Sequence, residues 1–336
     1  MASDASRMRK IWWSWDLRMR WSWGFCGDEK SFLANYTRAI DAAARYGVEG
    51  IVVWGFLRDS HGGVDAARRL CDHGRSRGVS ILPGVGIDAF GGVYCSGDSP
   101  HSLDRHLREH PERQARREDG RPSVHRWPPA DDAEHLIGCP SDAALAAFYR
   151  ESLEWLVDTF DLAGFQIEQG DVGLCFCERC RALPRTTGPK CRASSLDAVA
   201  ARLAPLIRGA LASRPGLTIL VENYSGLLPE EVRAVAPFLA DFPPEVFHSW
   251  QAYDCPGKFH VTAESRSPTP HGCMAVRSNS DFTGGEIDDR ADIRRAVELG
   301  RAAGLDMTYT YGEYPDDWPV TRGNYAAWAG AAAGSA

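Results

Sequence analysis

The sequence predicts an α/β fold, a single (β/α)8 TIM barrel, from three observations. Apolar strand-like runs alternate with amphipathic helical runs along nearly all of the 336 residues, and that alternation makes a sheet parallel. The strand runs number eight, the count that closes a parallel sheet on itself. The 44% hydrophobic content supplies a core large enough for one unit, and α/β barrels routinely exceed about 250 residues as one domain. An open doubly wound sheet would use a Gly-rich phosphate loop. The nearest match, Gly84-Val85-Gly86, lacks the third glycine.

The elements follow in order. Ile11–Asp16 reads as the first strand, and Ser31–Tyr46 as a helix stopped by Gly47. The second strand, Gly50–Leu57, is rich in Val and Ile. A helix over Val64–Arg77 stops at Gly78, where a residue without Cβ can end a helix left-handed. Ser80–Asp88 is the third strand. Ser141–Phe160 has helical spacing, with Ser141 as the expected N-cap. Gly164–Glu168 is the fourth strand. The helix Leu196–Ser213 contains Pro205, which should kink it. Thr218–Asn223 is the fifth strand, followed by a short helix over Pro229–Leu239. Val246–Ala252 and Cys273–Arg277 are the sixth and seventh strands, and between them Asp254–His271 offers no clean helix. Asp288–Ala303 is a helix, Asp306–Tyr311 the eighth strand, and Thr321–Ala329 a last helix.

The domain expectation is therefore one barrel over 1–336, with an insertion at 91–138 after strand three. That stretch carries charges, prolines and His101, His106, His110 and His125. A connection this long usually has a function, and in a barrel it would sit over the catalytic face. The four histidines match no metal-site spacing and are expected in solvated or capping roles.

Charge and composition exclude several classes. The net charge of -7 provides no basic excess to neutralise phosphates, so no nucleic-acid partner is expected. No run of 18 apolar residues occurs, so no membrane span is expected. The start, MASDASRMRK, has no apolar segment behind it, which points to a cytoplasmic protein. Its ten cysteines are then read as thiols or metal ligands before disulfides. No GxSxG elbow is present, and no organic cofactor is implied.

The cysteine spacing is the sharpest motif. Cys175, Cys177 and Cys180 lie within six residues just after strand four, and Cys139 lies just before the helix that leads into it. Four thiolates around Zn²⁺ make a closed tetrahedral site with no room for substrate, hence a structural zinc. Cys191 is the rival fourth ligand. The second motif is Phe165-Gln166-Ile167-Glu168-Gln169-Gly170-Asp171. Strand period two turns Phe165 and Ile167 to the helices and Gln166 and Glu168 into the barrel. That puts Glu168 at the strand's C-terminal end, where barrel enzymes carry out their chemistry, with Asp171 in the loop above.

The other strand ends add a ring of acids, amides and aromatics. Asp16 and Arg18 lie among Trp12, Trp13, Trp15, Trp21 and Trp23. Trp54, Asp88, Glu222, Asn223, Trp250, Arg277, Asn279, Tyr309, Tyr311 and Glu313 follow at later strands. Eleven tryptophans in the chain suit flat platforms for sugar rings. The ring of groups implies a polyol-binding mouth, with Asp16, Arg18, Trp54, Asp88, Asn223, Trp250, Arg277 and Tyr311 as substrate-binding candidates.

The segment Cys139-Pro140-Ser141, the following helix, Gly164–Glu168, and Cys175-Phe176-Cys177-Glu178-Arg179-Cys180-Arg181 together resemble the family 42 β-galactosidases. In that family four thiols in this arrangement hold zinc. His110-Pro111-Glu112-Arg113 followed by Asp119-Gly120 is similar to a segment of α-glucuronidase-like barrels. The likeness covers about residues 105–185. It implies a barrel glycoside hydrolase acting on a carbohydrate; the sequence leaves a homo-oligomer open. Where family 42 places an Asn-Glu pair at strand four, this chain has Gln166-Ile167-Glu168. Strand seven offers Arg277-Ser278-Asn279 and no Glu. The expected enzyme is thus a divergent glycosidase. Glu168 is its acid, with Asp171 as substitute, and Glu313 is the second carboxylate, with Glu222 as the alternative. The rival readings are a non-catalytic carbohydrate-binding barrel and a lyase or isomerase acting on a sugar.

Overall fold

A computed structural model describes residues 7–15, 26–126, 134–168, 175–182, 196–277, 287–311 and 319–334. Eight parallel strands close into a barrel. They are β1 Arg9–Trp15, β2 Gly50–Trp54, β3 Ser80–Gly86, β4 Gly164–Glu168, β5 Thr218–Gly226, β6 Phe247–Asp254, β7 Gly272–Arg277 and β8 Met307–Tyr311. Neighbours in sequence pair in parallel all the way round, and β8 pairs with β1 to close the ring. The helices α1 Glu29–Arg45, α2 Gly63–Arg77, α3 Leu103–Glu109, α4 Ala143–Phe160, α5 Glu178–Arg181, α6 Leu196–Ser213, α7 Pro229–Leu239, α8 Arg290–Ala302 and α9 Pro319–Ala332 belong to the connections. Among the described residues no helix is long and apolar enough to cross a membrane.

Local chemistry explains the boundaries. Asp28 caps α1 and shares a reciprocal capping box with Ser31. Gly78, at φ 69°, ends α2 left-handed. The N-cap of α4 is Asp142 and not Ser141, because the Asp142 carboxylate reaches the Ala144 N–H at 3.0 Å. Ser141 Oγ instead lies 3.0 Å from Cys180 Sγ. Helix α6 continues through Pro205. Strand β6 runs two residues further than the sequence pattern suggests, since the short strand Lys258–Phe259 folds back antiparallel on Tyr253 and Asp254. That return replaces a helix between β6 and β7.

Two apolar layers result from strand parity. Outward residues such as Ile51, Val53, Phe165, Ile167, Ile219, Val221, Trp250 and Met274 pack with the helices in one cluster. Inward residues, among them Ile11, Trp13, Val52, Trp54, Leu82, Leu220, Phe247, Ala275 and Tyr309, fill the barrel in another. Glycine is required where backbones or rings touch. A Cβ on Gly164 would stand 1.9 Å from the Thr218 carbonyl oxygen, and one on Gly84 2.5 Å from the Trp54 ring.

The 91–138 stretch carries regular structure. It contains α3 and an antiparallel pair, Val124–Arg126 with Glu134–Leu136. Asp104 on α3 holds this pair by accepting from His135 Nδ1 at 2.7 Å and from the Leu136 N–H at 2.6 Å. Of the histidines expected in solvated or capping roles, His101 stacks on Trp155 at 4.1 Å and His106 on Phe148 at 4.3 Å, while His110, half-buried near Glu112, is the C-cap of α3.

Candidate functional site at the C-terminal end of the barrel

The inner face of β1 and β2 carries an aromatic wall. Trp15 stacks on Trp54 with centroids 5.0 Å apart and planes 4° apart, and Trp13 lies 4.7 Å from Tyr311. Gln166 ties this wall to β4. Its Oε1 accepts the indole N–H of Trp54 at 2.7 Å and of Trp13 at 3.2 Å. Two residues on, Glu168 is 7% exposed on the same inward parity.

Glu222, on the adjacent strand β5, is 8% exposed. Its Oε2 accepts from Tyr309 Oη at 2.5 Å and lies 2.8 Å from Ser249 Oγ. Burial, and then the Glu222 charge, push the Tyr309 phenol well above its ordinary range, so it keeps its proton and donates. Tyr311 stands 3.3 Å from Tyr309, oxygen to oxygen. Burial raises its phenol too; Arg277 pulls the other way, while the Glu222 and Glu168 charges add to the rise. Arg277 lies over the Tyr311 ring at 4.8 Å and pairs with Asp254 at 3.5 Å. Two carboxylates, two phenols and an arginine thus share one end of the barrel.

The sequence-derived candidates divide on these positions. Trp54, Glu168, Glu222, Arg277 and Tyr311 come together. Trp250 does not: it is wholly buried on the helix side of β6. Asn223 follows Glu222 on the opposite parity, and its Oδ1 accepts from the Ser225 N–H at 2.9 Å, where the β5–β6 register shifts. Asp88 is buried in an ion pair with Arg202, and Tyr149 Oη lies 3.2 Å from its Oδ1. Asp16, Arg18, Asp171, Cys191, Asn279 and Glu313 lie outside the described residues. Ser249 escaped sequence reasoning. Its only signal is inward parity on β6, which matters once that strand is aligned with Glu222.

A thiol cluster stands beside the site. Cys139, Cys175, Cys177 and Cys180 present sulfurs that all lie within 4.8 Å of one another, an arrangement that can hold a metal ion. Cys139 Sγ is 3.6 Å from Cys177, 3.6 Å from Cys180 and 3.8 Å from Cys175. A tetrahedron with metal–sulfur bonds of about 2.3 Å has edges of about 3.8 Å, so the donors fit such an ion. Backbone N–H groups of Arg116 and Cys180 point at Cys175 and Cys177 sulfurs, at 3.4 and 3.5 Å.

The same barrel occurs in solved structures. An α-L-fucosidase (isoenzyme 2) from Paenibacillus thiaminolyticus superposes with a TM-score of 0.55 and 13% identity over 97% of this chain and 49% of that one. An O-GlcNAc hydrolase from Thermobaculum terrenum gives 0.55 and 9% over 96% and 59%. A GH20 β-N-acetylhexosaminidase from Streptomyces coelicolor A3(2) gives 0.54 and 11% over 96% and 64%. This chain therefore spans about half to under two thirds of those proteins. At these identities the likeness shows the fold. No protein-family model matches the chain, and no curated protein matches it.

Proposed function

We propose that the chain is a glycoside hydrolase whose chemistry runs on Glu168 and Glu222. The observation that supports this most is the pairing itself: two buried carboxylates on adjacent strand ends, facing a wall of tryptophans. Glu168 is the general acid that protonates the leaving oxygen, and Glu222 is the second carboxylate. The Tyr309 and Ser249 hydroxyls donate to Glu222 and hold the carboxylate in place, as a nucleophile or base requires. Neighbouring strands lie about 4.8 Å apart, so the pair fits the shorter separation of a retaining mechanism, about 5–5.5 Å. Asp171 is the substitute acid and Glu313 the rival second carboxylate. The barrels named above, an α-L-fucosidase, an O-GlcNAc hydrolase and a β-N-acetylhexosaminidase, agree with a carbohydrate substrate without choosing one.

The ion at the four thiols is proposed to be zinc, held by Cys139, Cys175, Cys177 and Cys180 in a closed structural role. The likeness to family 42 supports the same assignment.

Glu168→Gln and Glu222→Gln test the pair. Each should lower turnover of an alkyl glycoside by about 10²–10⁴. The Glu168 loss should shrink on an aryl glycoside, whose leaving group needs little protonation, whereas the Glu222 loss should persist. Full activity in both variants overturns the pair. Loss in Asp171→Asn with an active Glu168→Gln passes the acid to Asp171. Saturable sugar binding without turnover in the unaltered protein identifies a binding barrel.

A further inference from the structure

We infer that Gln166 is a specificity-determining hydrogen-bond donor, oriented by two tryptophans to read an oxygen of the bound sugar remote from the scissile bond. The inference rests on the glycosidase reading for the place of the acid, and goes beyond it in naming what else the site recognises.

The argument starts from hydrogen-bond inventory. An indole N–H can only donate. Trp13 and Trp54 both direct their Nε1 at the same atom of Gln166, at 3.2 and 2.7 Å. That atom must be the carbonyl oxygen, so the usual ambiguity between the two ends of an amide does not arise here. Both lone pairs of Oε1 are then used. The amide nitrogen, with its two N–H donors, lies on the other side of the group, away from β1 and β2. Among the described residues it donates to no protein group, and it is not one of the sealed polar atoms that lack a partner, so it borders open space although Gln166 as a whole is 1% exposed.

Alternatives for this position show what the donor adds. A Met or Leu would pack the volume but leave two buried indole N–H groups without an acceptor. An ionised Glu would accept from both indoles but has no donor to offer. Glutamine serves both indoles and still presents donors. The Trp54 indole is itself held: it lies over Gly84, where any Cβ would strike its ring, and Trp15 stacks on it at 5.0 Å. The donor is therefore fixed in direction, as a residue that discriminates between ligands must be.

Position gives the ligand atom. Gln166 is two residues before Glu168 on β4, about 7 Å deeper into the barrel. That is close to the span of one hexose ring. With the leaving oxygen at Glu168, the deep donor meets an oxygen on the far side of the same ring. The acceptor is a hydroxyl oxygen or an acetamido carbonyl oxygen; an apolar or cationic group would leave the N–H2 unpaired.

The test reads binding, so it does not depend on turnover. Methyl glycosides of D-glucose, D-galactose, L-fucose and N-acetyl-D-glucosamine, with their monodeoxy analogues, are titrated against the intact protein and against Gln166→Glu and Gln166→Met. Gln166→Glu keeps the acceptor for both indoles and should retain the near-ultraviolet tryptophan spectrum. Its affinity for the best glycoside should fall about five- to tenfold. Removing the contacted oxygen from that glycoside should weaken binding to the original protein by a similar factor and leave both variants almost unaffected. An unchanged deoxy profile in the folded variants overturns the role of Gln166 while the glycosidase reading stands. Failure of the original protein to bind any glycoside of the panel overturns both.

Discussion

His248 should set part of the acid stability of the barrel. It precedes Ser249 on β6 and faces the helix layer, 2% exposed, with its ring edge-on to Phe242 at 5.0 Å. Its Nδ1 has no hydrogen-bond partner among the described residues. Burial lowers the imidazole pKa from 6.5 to about 4. The neutral form is thus the one that folds. Above pH 6.5 the unfolded chain is also neutral there, and the group contributes its full share. Below pH 6.5 the unfolded chain takes up a proton that the folded chain refuses, and stability falls by about 1.36 kcal/mol per pH unit until the folded histidine titrates near pH 4. The 2.5-unit gap corresponds to a total of about 3 kcal/mol. Other groups titrate in the same range, so the measurement is a difference. His248→Phe keeps an aromatic ring against Phe242 and has no proton to gain. Urea unfolding of both proteins at half-unit pH steps should give curves that run parallel above pH 6.5 and below pH 4. In between they should converge or cross, with the original protein losing about 3 kcal/mol more. Parallel curves throughout would refute the reasoning.

Two further outcomes follow from the site. Protein purified without chelator should carry about one zinc per chain, with a single shell of four sulfurs near 2.3 Å in X-ray absorption. Cys177→Ser and Cys139→Ser should release it and Cys191→Ser should retain it; no zinc, or retention by Cys139→Ser with loss in Cys191→Ser, contradicts the assigned ligands. Gly84→Ala places a Cβ 2.5 Å from the Trp54 ring, which should displace the indole from Gln166, cost about 1–3 kcal/mol in stability and change the tryptophan circular dichroism; a variant with unaltered spectrum and stability would show that Trp54 has room to spare.

The barrel was legible because its period is simple. Strand four reads Gly-Phe-Gln-Ile-Glu, and the apolar members at every second place set the parity that the structure shows. Strand six defeated the same rule. Phe247, Ser249 and Gln251 face inward while Trp250 faces the helices, so the large ring and not the small hydroxyl looked like the ligand contact. In strand five the register shift after Glu222 turns Asn223 into a local turn-former, and a bulge leaves no mark that composition can reveal. Ser141 and Asp142 are both competent caps one residue apart, and the choice between them depends on Cys180, which is distant in sequence. The grouping of Cys139 with Cys175, Cys177 and Cys180 was legible, since thiol spacing restricts geometry directly.

The position of Asp88 links the thiol cluster to Glu168. Arg202, which pairs with Asp88, also donates to the Cys139 carbonyl at 3.4 Å. The Asp88 carbonyl accepts from the Gly138 N–H at 2.8 Å, next to Cys139. Asp88 follows Ile87, whose N–H donates to the Glu168 carbonyl at 3.0 Å. The backbone at Glu168 is thereby tied, through two hydrogen-bonded steps and a buried ion pair, to the segment that carries Cys139. Removing one partner of such a buried pair is strongly destabilising because it leaves a charge without compensation. A metal that fixed Cys139 against Cys175, Cys177 and Cys180 would therefore do more than close a loop. It would hold the far end of the connection that positions β4 at Glu168, so that a closed ion with no place for substrate would still bear on the chemistry proposed beside it.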